Sequence, residues 1–169
     1  MVDKVDVLPE IVVGLDGSPT AAAALVWAAD HSRATGVPLR VVHCWQLNAS
    51  QVEATVPSFW EASVADARAR ATSWVLDALG SGAATVRWVL DVAEGLPGPV
   101  LVARSSAATA VVLGTGEHVG IRRLLTGSVS HYVLTHALPP VVAVRAPVVT
   151  PGGPRALSES LINTRGGHG

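Results

Sequence analysis

Gly114-Thr-Gly-Glu-His-Val-Gly-Ile-Arg-Arg-Leu-Leu-Thr-Gly127-Ser128-Val-Ser130 follows the apolar run Ala110-Val-Val-Leu113 without a break. The order predicts a strand, a glycine-bearing loop and the start of a helix. Such a turn makes an anion cradle: glycine lets backbone approach a phosphate closely, and the free N–H groups of a helix start point at negative charge. One residue runs against that chemistry, the carboxylate of Glu117 in the middle of the loop.

The same alternation extends in both directions. Upstream, Ile11-Val-Val-Gly-Leu15 is a short apolar run suited to a strand covered on both faces. Asp16-Gly17 ends it, and Ser18 with Pro19 reads as the cap and first residue of a helix over 20–35. In that helix Leu25, Ala28, Ala29 and Ser32 recur at helical spacing, with Asp30, His31 and Arg33 on the water side. A second strand is expected over 39–44. A second helix is expected over 58–79, opened by a capping box at Ser58-Phe-Trp-Glu61. A third strand is placed at 85–90, a short third helix at 100–106 and a fourth strand at 110–113. Downstream of the glycine loop come a helix over 128–136 and a fifth strand over 140–145. Beyond Pro147 the chain turns to Pro, Gly, Ser and Arg, so residues 1–147 read as one α/β domain and 148–169 as a flexible C-terminal tail.

Strands alternating with helices imply a parallel sheet with right-handed crossovers, and a ligand site beyond the strand C-termini where the strand order reverses. Asp16 and Gly114 both lie at such ends. If their strands are neighbours, the two loops face one crevice.

Composition narrows the function. With 169 residues, 49% hydrophobic and 15% charged, the chain is long enough and apolar enough for one real core. A net charge of −1 with no basic run gives no electrostatic reason to expect nucleic acid or a membrane surface as partner. No uninterrupted apolar stretch approaches the ~18 residues of a membrane span, so a soluble, cytoplasmic protein is expected. The single cysteine, Cys44, excludes an internal disulfide framework and reads first as a small buried hydrophobe, with a reactive thiol as the alternative.

Taken together, Ile-Val-Val-Gly-Leu-Asp-Gly-Ser18-Pro, Val-Val-His43 and Gly127-Ser-Val-Ser130 followed by Pro-Pro-Val-Val-Ala-Val-Arg145 resemble the universal stress protein family over residues 8–146. The resemblance implies a Rossmann-like single domain with a five-stranded parallel sheet in the order 3-2-1-4-5 and helices on both faces. It also implies a homodimer formed through the last strand, here Val141, Val142, Ala143 and Val144. Many members bind ATP through Gly-x2-Gly-x9-Gly-Ser/Thr. Gly114 matches the first position and Gly127-Ser128 the last, but Glu117 stands where the second glycine belongs and Gly116 lies one residue early. Carried across residue by residue, Asp16 falls beside the adenosine, with the backbone of Gly14 and Leu15 lining its pocket and Val42 near the adenine. Gly114, Thr115 and Gly116 would supply loop backbone, and Gly127, Ser128, Val129 and Ser130 would supply donors to phosphates.

The Glu117 carboxylate about 4 Å from a phosphate charge would cost roughly 1 kcal/mol in water and about 4 at an effective dielectric of about 20. Three arrangements would relieve it: the side chain swings into solvent, Mg²⁺ bridges it to the phosphates, or Arg122 or Arg123 neutralises it. The six histidines show no metal spacing, with His43 reading as a packed strand residue. Of the five tryptophans, Trp45 and Trp60 bracket the loop after strand two and would form a lid on the crevice if they are not simply core anchors. There is no Gly-x4-Gly-Lys-Ser/Thr loop and no defensible catalytic triad. Binding of ATP or another adenine nucleotide, with Mg²⁺ accompanying it in one arrangement, is therefore the expected chemistry. A nucleotide-free homodimer acting through an unidentified protein partner is the alternative. Slow ATP hydrolysis or self-phosphorylation on Ser128 or Ser130 is a third, which lacks an evident base.

Overall fold

In a computed structural model of the chain, residues 9–46, 57–115 and 128–146 are described. They form β1 (Ile11–Gly14), α1 (Pro19–Thr35), β2 (Leu39–Trp45), α2 (Pro57–Leu79), a 3₁₀ turn (Gly80–Thr85), β3 (Trp88–Glu94), α3 (Pro97–Arg104), β4 (Ala110–Thr115), α4 (Ser128–His136) and β5 (Val141–Arg145). The strands make one sheet in the order β3-β2-β1-β4-β5, and every pairing is parallel. β1 thus lies between β2 and β4, so the chain leaves the centre of the sheet in both directions and the ends of β1 and β4 are neighbours.

Each face of the sheet has its own core. Ile11, Val13, Leu15, Leu39, Val41 and Val112 pack under α1 and α2. The helix α1 presents Ala21, Ala24, Leu25, Ala28, Ala29 and Ser32 to it. Alanine at most contact positions brings the helix axis close to the strands. Val12, Val42, Val111 and Leu113 point the other way, against Leu101 and Val133 of α3 and α4.

Several boundaries depart from the expected ones. β3 runs over Trp88–Glu94, not 85–90, because it pairs with the whole of β2 from Leu39↔Trp88 to Trp45↔Glu94. Asp91 is tolerated in that strand by two arginines: Arg40 Nη1 lies 3.4 Å and Arg104 Nε 3.3 Å from its Oδ2. The segment before it, Gly80–Thr85, is a 3₁₀ turn tied to α1 through Arg33, which donates to Thr85 and to the Gly82 carbonyl. α3 starts at Pro97 rather than 100, since proline is preorganised for a first turn. Similarly α2 already includes Pro57, so Ser58 lies inside the helix and is not its N-cap. Finally, β4 continues through Gly114 and Thr115, which pair with Val144 and Arg145 of β5 and are strand rather than loop residues.

Candidate functional site

At the C-terminal ends of β1 and β4 the structure has a cavity of about 390 Å³, within the range of small-ligand pockets. Three groups of residues line it. Gly14, Leu15 and Asp16 come from the end of β1, with Ser18, Thr20 and Ala21 from the start of α1. Val42 and Cys44 of β2 and Leu113 and Gly114 of β4 form the strand side. Pro97 and Leu101 of α3 face Val129 and Ser130 of α4. The cavity therefore opens on the α3/α4 side of the sheet, where the chain order reverses.

The two helix starts give this cavity its electrostatics. The first-turn N–H groups of a helix lack intrahelical partners and carry a partial positive charge. α1 caps itself: the Ser18 hydroxyl accepts the Ala21 N–H at 3.1 Å and lies 3.1 Å from the Thr20 hydroxyl. α4 begins at Ser128, and its next residues Val129 and Ser130 reach the cavity. Asp16 supplies negative charge at the rim. Its Oδ1 accepts the Ser18 N–H at 2.9 Å in a tight turn, and Oδ2 takes no part in that bond. The walls, Val42, Leu101, Leu113 and Val129, are apolar. The arrangement can hold a flat apolar group between valines and leucines, hydroxyls near Asp16, and an anion toward the helix starts.

Gly114 is required by close packing: a β-carbon there would overlap the backbone of Thr20 and come within 2.5 Å of the Ala21 nitrogen. The end of β4 thus rests directly on the first turn of α1.

Of the residues singled out in the sequence, Gly14, Leu15, Asp16, Val42, Gly114, Val129 and Ser130 are brought together around this one cavity. Thr115 is buried in β4, and its hydroxyl donates to the Val144 carbonyl at 3.2 Å; it is not among the lining residues. Gly116, Glu117 and Gly127 lie outside the described residues, as do Arg122, Arg123 and the side chain of Ser128. Trp45 and Trp60 form no lid. They pack edge-on, centroids 4.9 Å apart, clasping the end of β2 to α2, and neither lines the cavity. For Trp45 this follows from strand alternation, which sends it to the same face as Val41 and His43.

Ser18, Thr20, Ala21, Cys44, Pro97, Leu101 and Leu113 line the cavity and were not anticipated there. Cys44 is two positions from Val42 on the same strand face, the one signal that would have found it. Burial, then the charge of Asp91, push its thiol up to about 11, with Arg104 pulling weakly the other way. It is a protonated, neutral wall group at neutral pH.

A family model described as the Universal stress protein family matches residues 9–145. The Mycobacterium tuberculosis universal stress protein Rv2624c is 32% identical over 146 residues, which cover 83% of this chain and 50% of that protein. The chain spans about half the length of the curated relatives it matches. Among solved structures, the Archaeoglobus fulgidus universal stress protein in complex with dAMP is 25% identical and aligns with a TM-score of 0.56, over 80% of this chain and 97% of that one. The Lactobacillus plantarum universal stress protein UspA, 19% identical, shares the fold with a TM-score of 0.62 over 82% and 98% of the two chains.

Proposed function

The chain belongs to the universal stress protein family, and from that premise we propose that it binds an adenine nucleotide in the crevice beyond β1 and β4. The observation that carries the reading is the convergence of Asp16, two helix starts and the apolar pair Val42 and Leu101 on one cavity of about 390 Å³. The base packs on the apolar wall, a ribose hydroxyl donates to Asp16, and phosphate faces the start of α4. The dAMP complex of the 25%-identical relative supports the same class of ligand. Nucleotide binding, with no bond made or broken, is the activity proposed.

The test begins with protein purified without added nucleotide, denatured, and its supernatant run on nucleotide chromatography. Calorimetry against AMP, ADP and ATP, with and without Mg²⁺, follows. Adenine nucleotide near one per chain, or saturable binding that weakens in Asp16→Asn and is lost in Leu101→Trp, is expected. No released nucleotide and no heat with any of the three would overturn the reading. The Glu117→Gly variant settles the triphosphate question: ATP affinity rises if the carboxylate repels the phosphates.

A homodimer through β5 is proposed alongside it. In the described sheet β5 pairs on one side only, with β4, and its Ala143 and Arg145 are exposed. Val142 and Val144 pack into the α1-side core, so charging them would damage the monomer. Ala143→Asp is the cleaner probe. Light scattering should give a dimer mass for the wild type and a monomer mass for the variant; a monomeric wild type would end this reading.

A further inference from the structure

The loop that carries Asp16 is held from the opposite side of the sheet. Leu15, one residue beyond the end of β1, is 4% exposed, so its backbone groups need partners. Its N–H donates to the Val42 carbonyl at 2.9 Å. Its carbonyl accepts from His43 Nδ1 at 3.0 Å. His43 is itself buried, and its ring meets Trp74 of α2 edge-on, with centroids 5.2 Å apart and planes at 88°. Trp74 reaches the loop a second time. Gly17 stands at φ +81°, and a β-carbon there would lie 2.6 Å from the indole ring, so the Gly17 backbone rests on Trp74. Asp16 is bracketed: the residue before it is fixed by His43, the residue after it by Trp74. Neither His43 nor Trp74 lines the cavity.

We propose that His43 and Trp74 are positioning residues for Asp16, a bracket on the α2 side of the sheet that sets where the carboxylate stands in the cavity on the other side. The proposal rests on the nucleotide reading for its consequence, since the aimed carboxylate is the one assigned to the ribose. The geometry requires a proton on His43 Nδ1, because the Leu15 carbonyl can only accept. Without that donor a buried carbonyl loses its partner and the Leu15–Gly17 turn relaxes, carrying Asp16 with it. Trp74 limits the relaxation from below, so the two act as one support.

Two readouts test this, one of them free of ligand. The Ser18 amide is held by Asp16 Oδ1, so its hydrogen exchange, followed by NMR, reports the carboxylate's position. His43→Phe keeps the ring and removes the donor. It should speed Ser18 exchange and weaken AMP binding in calorimetry by about tenfold, whereas His43→Gln, whose amide can donate, should recover most of both. In an Asp16→Asn background the His43→Phe change should cost no further affinity, the signature of action through Asp16. Val75→Ala, which hollows the α2 core beside Trp74, serves as the stability control. It should lower Tm while leaving AMP affinity and Ser18 exchange in place. If His43→Phe proves unfolded by circular dichroism, Trp74→Phe replaces it under the same expectations. Unchanged Ser18 exchange in a folded variant overturns the proposal. So does a variant AMP affinity equal to that of a wild type that binds AMP, or an affinity loss that Val75→Ala reproduces. A wild type that ignores AMP while the variant still speeds Ser18 exchange would sink the nucleotide reading and leave the bracket standing.

Discussion

The two faces of the sheet are built to different ends from alternate residues of the same strands. On the α1/α2 face, Val13, Val41 and Val112 are fully buried beneath the alanines of α1, and Trp74 packs against the same core. On the α3/α4 face, Val12, Val42 and Leu113 are equally buried along the strands, yet at their C-terminal ends the packing opens into the cavity. One face is closed and supports the loop; the other keeps unfilled volume where that loop presents Asp16. Outside the His43–Trp74 bracket, stability and binding are therefore separable by face, and substitutions in the two cores should separate them.

Gly114→Ala should have the largest effect. The added carbon meets the backbone of Thr20 and Ala21, which cannot rotate away, so a loss of more than about 4 kcal/mol, or failure to fold, is expected in urea unfolding. A variant that folds with wild-type stability would mean that β4 does not rest on α1 as described. Leu25→Ala, fully buried on the closed face, should cost about 3 kcal/mol through the cavity it leaves. AMP affinity should not change at temperatures where the variant is folded. Coupled losses of stability and affinity would erase the division between faces.

Gly14→Ala is the counterpart on the open face. Its β-carbon would lie 2.9 Å from Leu113 Cδ2 and 3.3 Å from Leu101 Cδ1, the far ends of side chains that can turn. The cost in stability should be about 1 kcal/mol. Because both leucines line the cavity, the displaced methyls narrow it, and AMP affinity should fall by several-fold. Urea unfolding of the two glycine variants contrasts the ends of adjacent strands directly.

This division was only partly legible in the sequence. The Asp16-Gly17-Ser18 turn and the apolar strand runs carry strong local signals, and the pairing of β1 with β4 brings the ends of those two strands to one crevice. The helix α1 was readable almost to the residue because Ser18, Pro19 and Gly36 punctuate it. β3 was not, since Asp91 and Glu94 break its apolar run and what makes the strand is its pairing with β2 and the arginines around Asp91. The bracket formed by His43 and Trp74 was also invisible as such: the two residues are 31 apart in the chain, and only the sheet brings them under one loop. Trp45 and Trp60 misled for the opposite reason. Adjacency to the loop in sequence suggested a lid, while alternation along β2 had already assigned Trp45 to the closed face.

The smallest effects are expected at Cys44, where the open face can be read chemically. Its thiol is raised from an ordinary 9.0 to about 11. A raised folded-state value favours the folded protein below pH 9, and the contribution disappears as pH climbs from about 9 to about 11. Alkylation by iodoacetamide follows the thiolate, so its rate should keep rising to about pH 11 instead of levelling near 9, and AMP should slow it by filling the cavity. Asp91 raises the thiol and Arg104 lowers it, so Asp91→Asn should move the rate profile to lower pH and Arg104→Ala to higher pH. Arg104 is half exposed and Asp91 keeps Arg40, so Arg104→Ala should change stability by less than about 1 kcal/mol. Burial is the largest cause of the raised thiol, and for that reason Asp91→Asn should still leave the profile above pH 9. A profile that drops to 9 in that variant would mean that Cys44 faces water, and that the wall on which the base is placed is not closed.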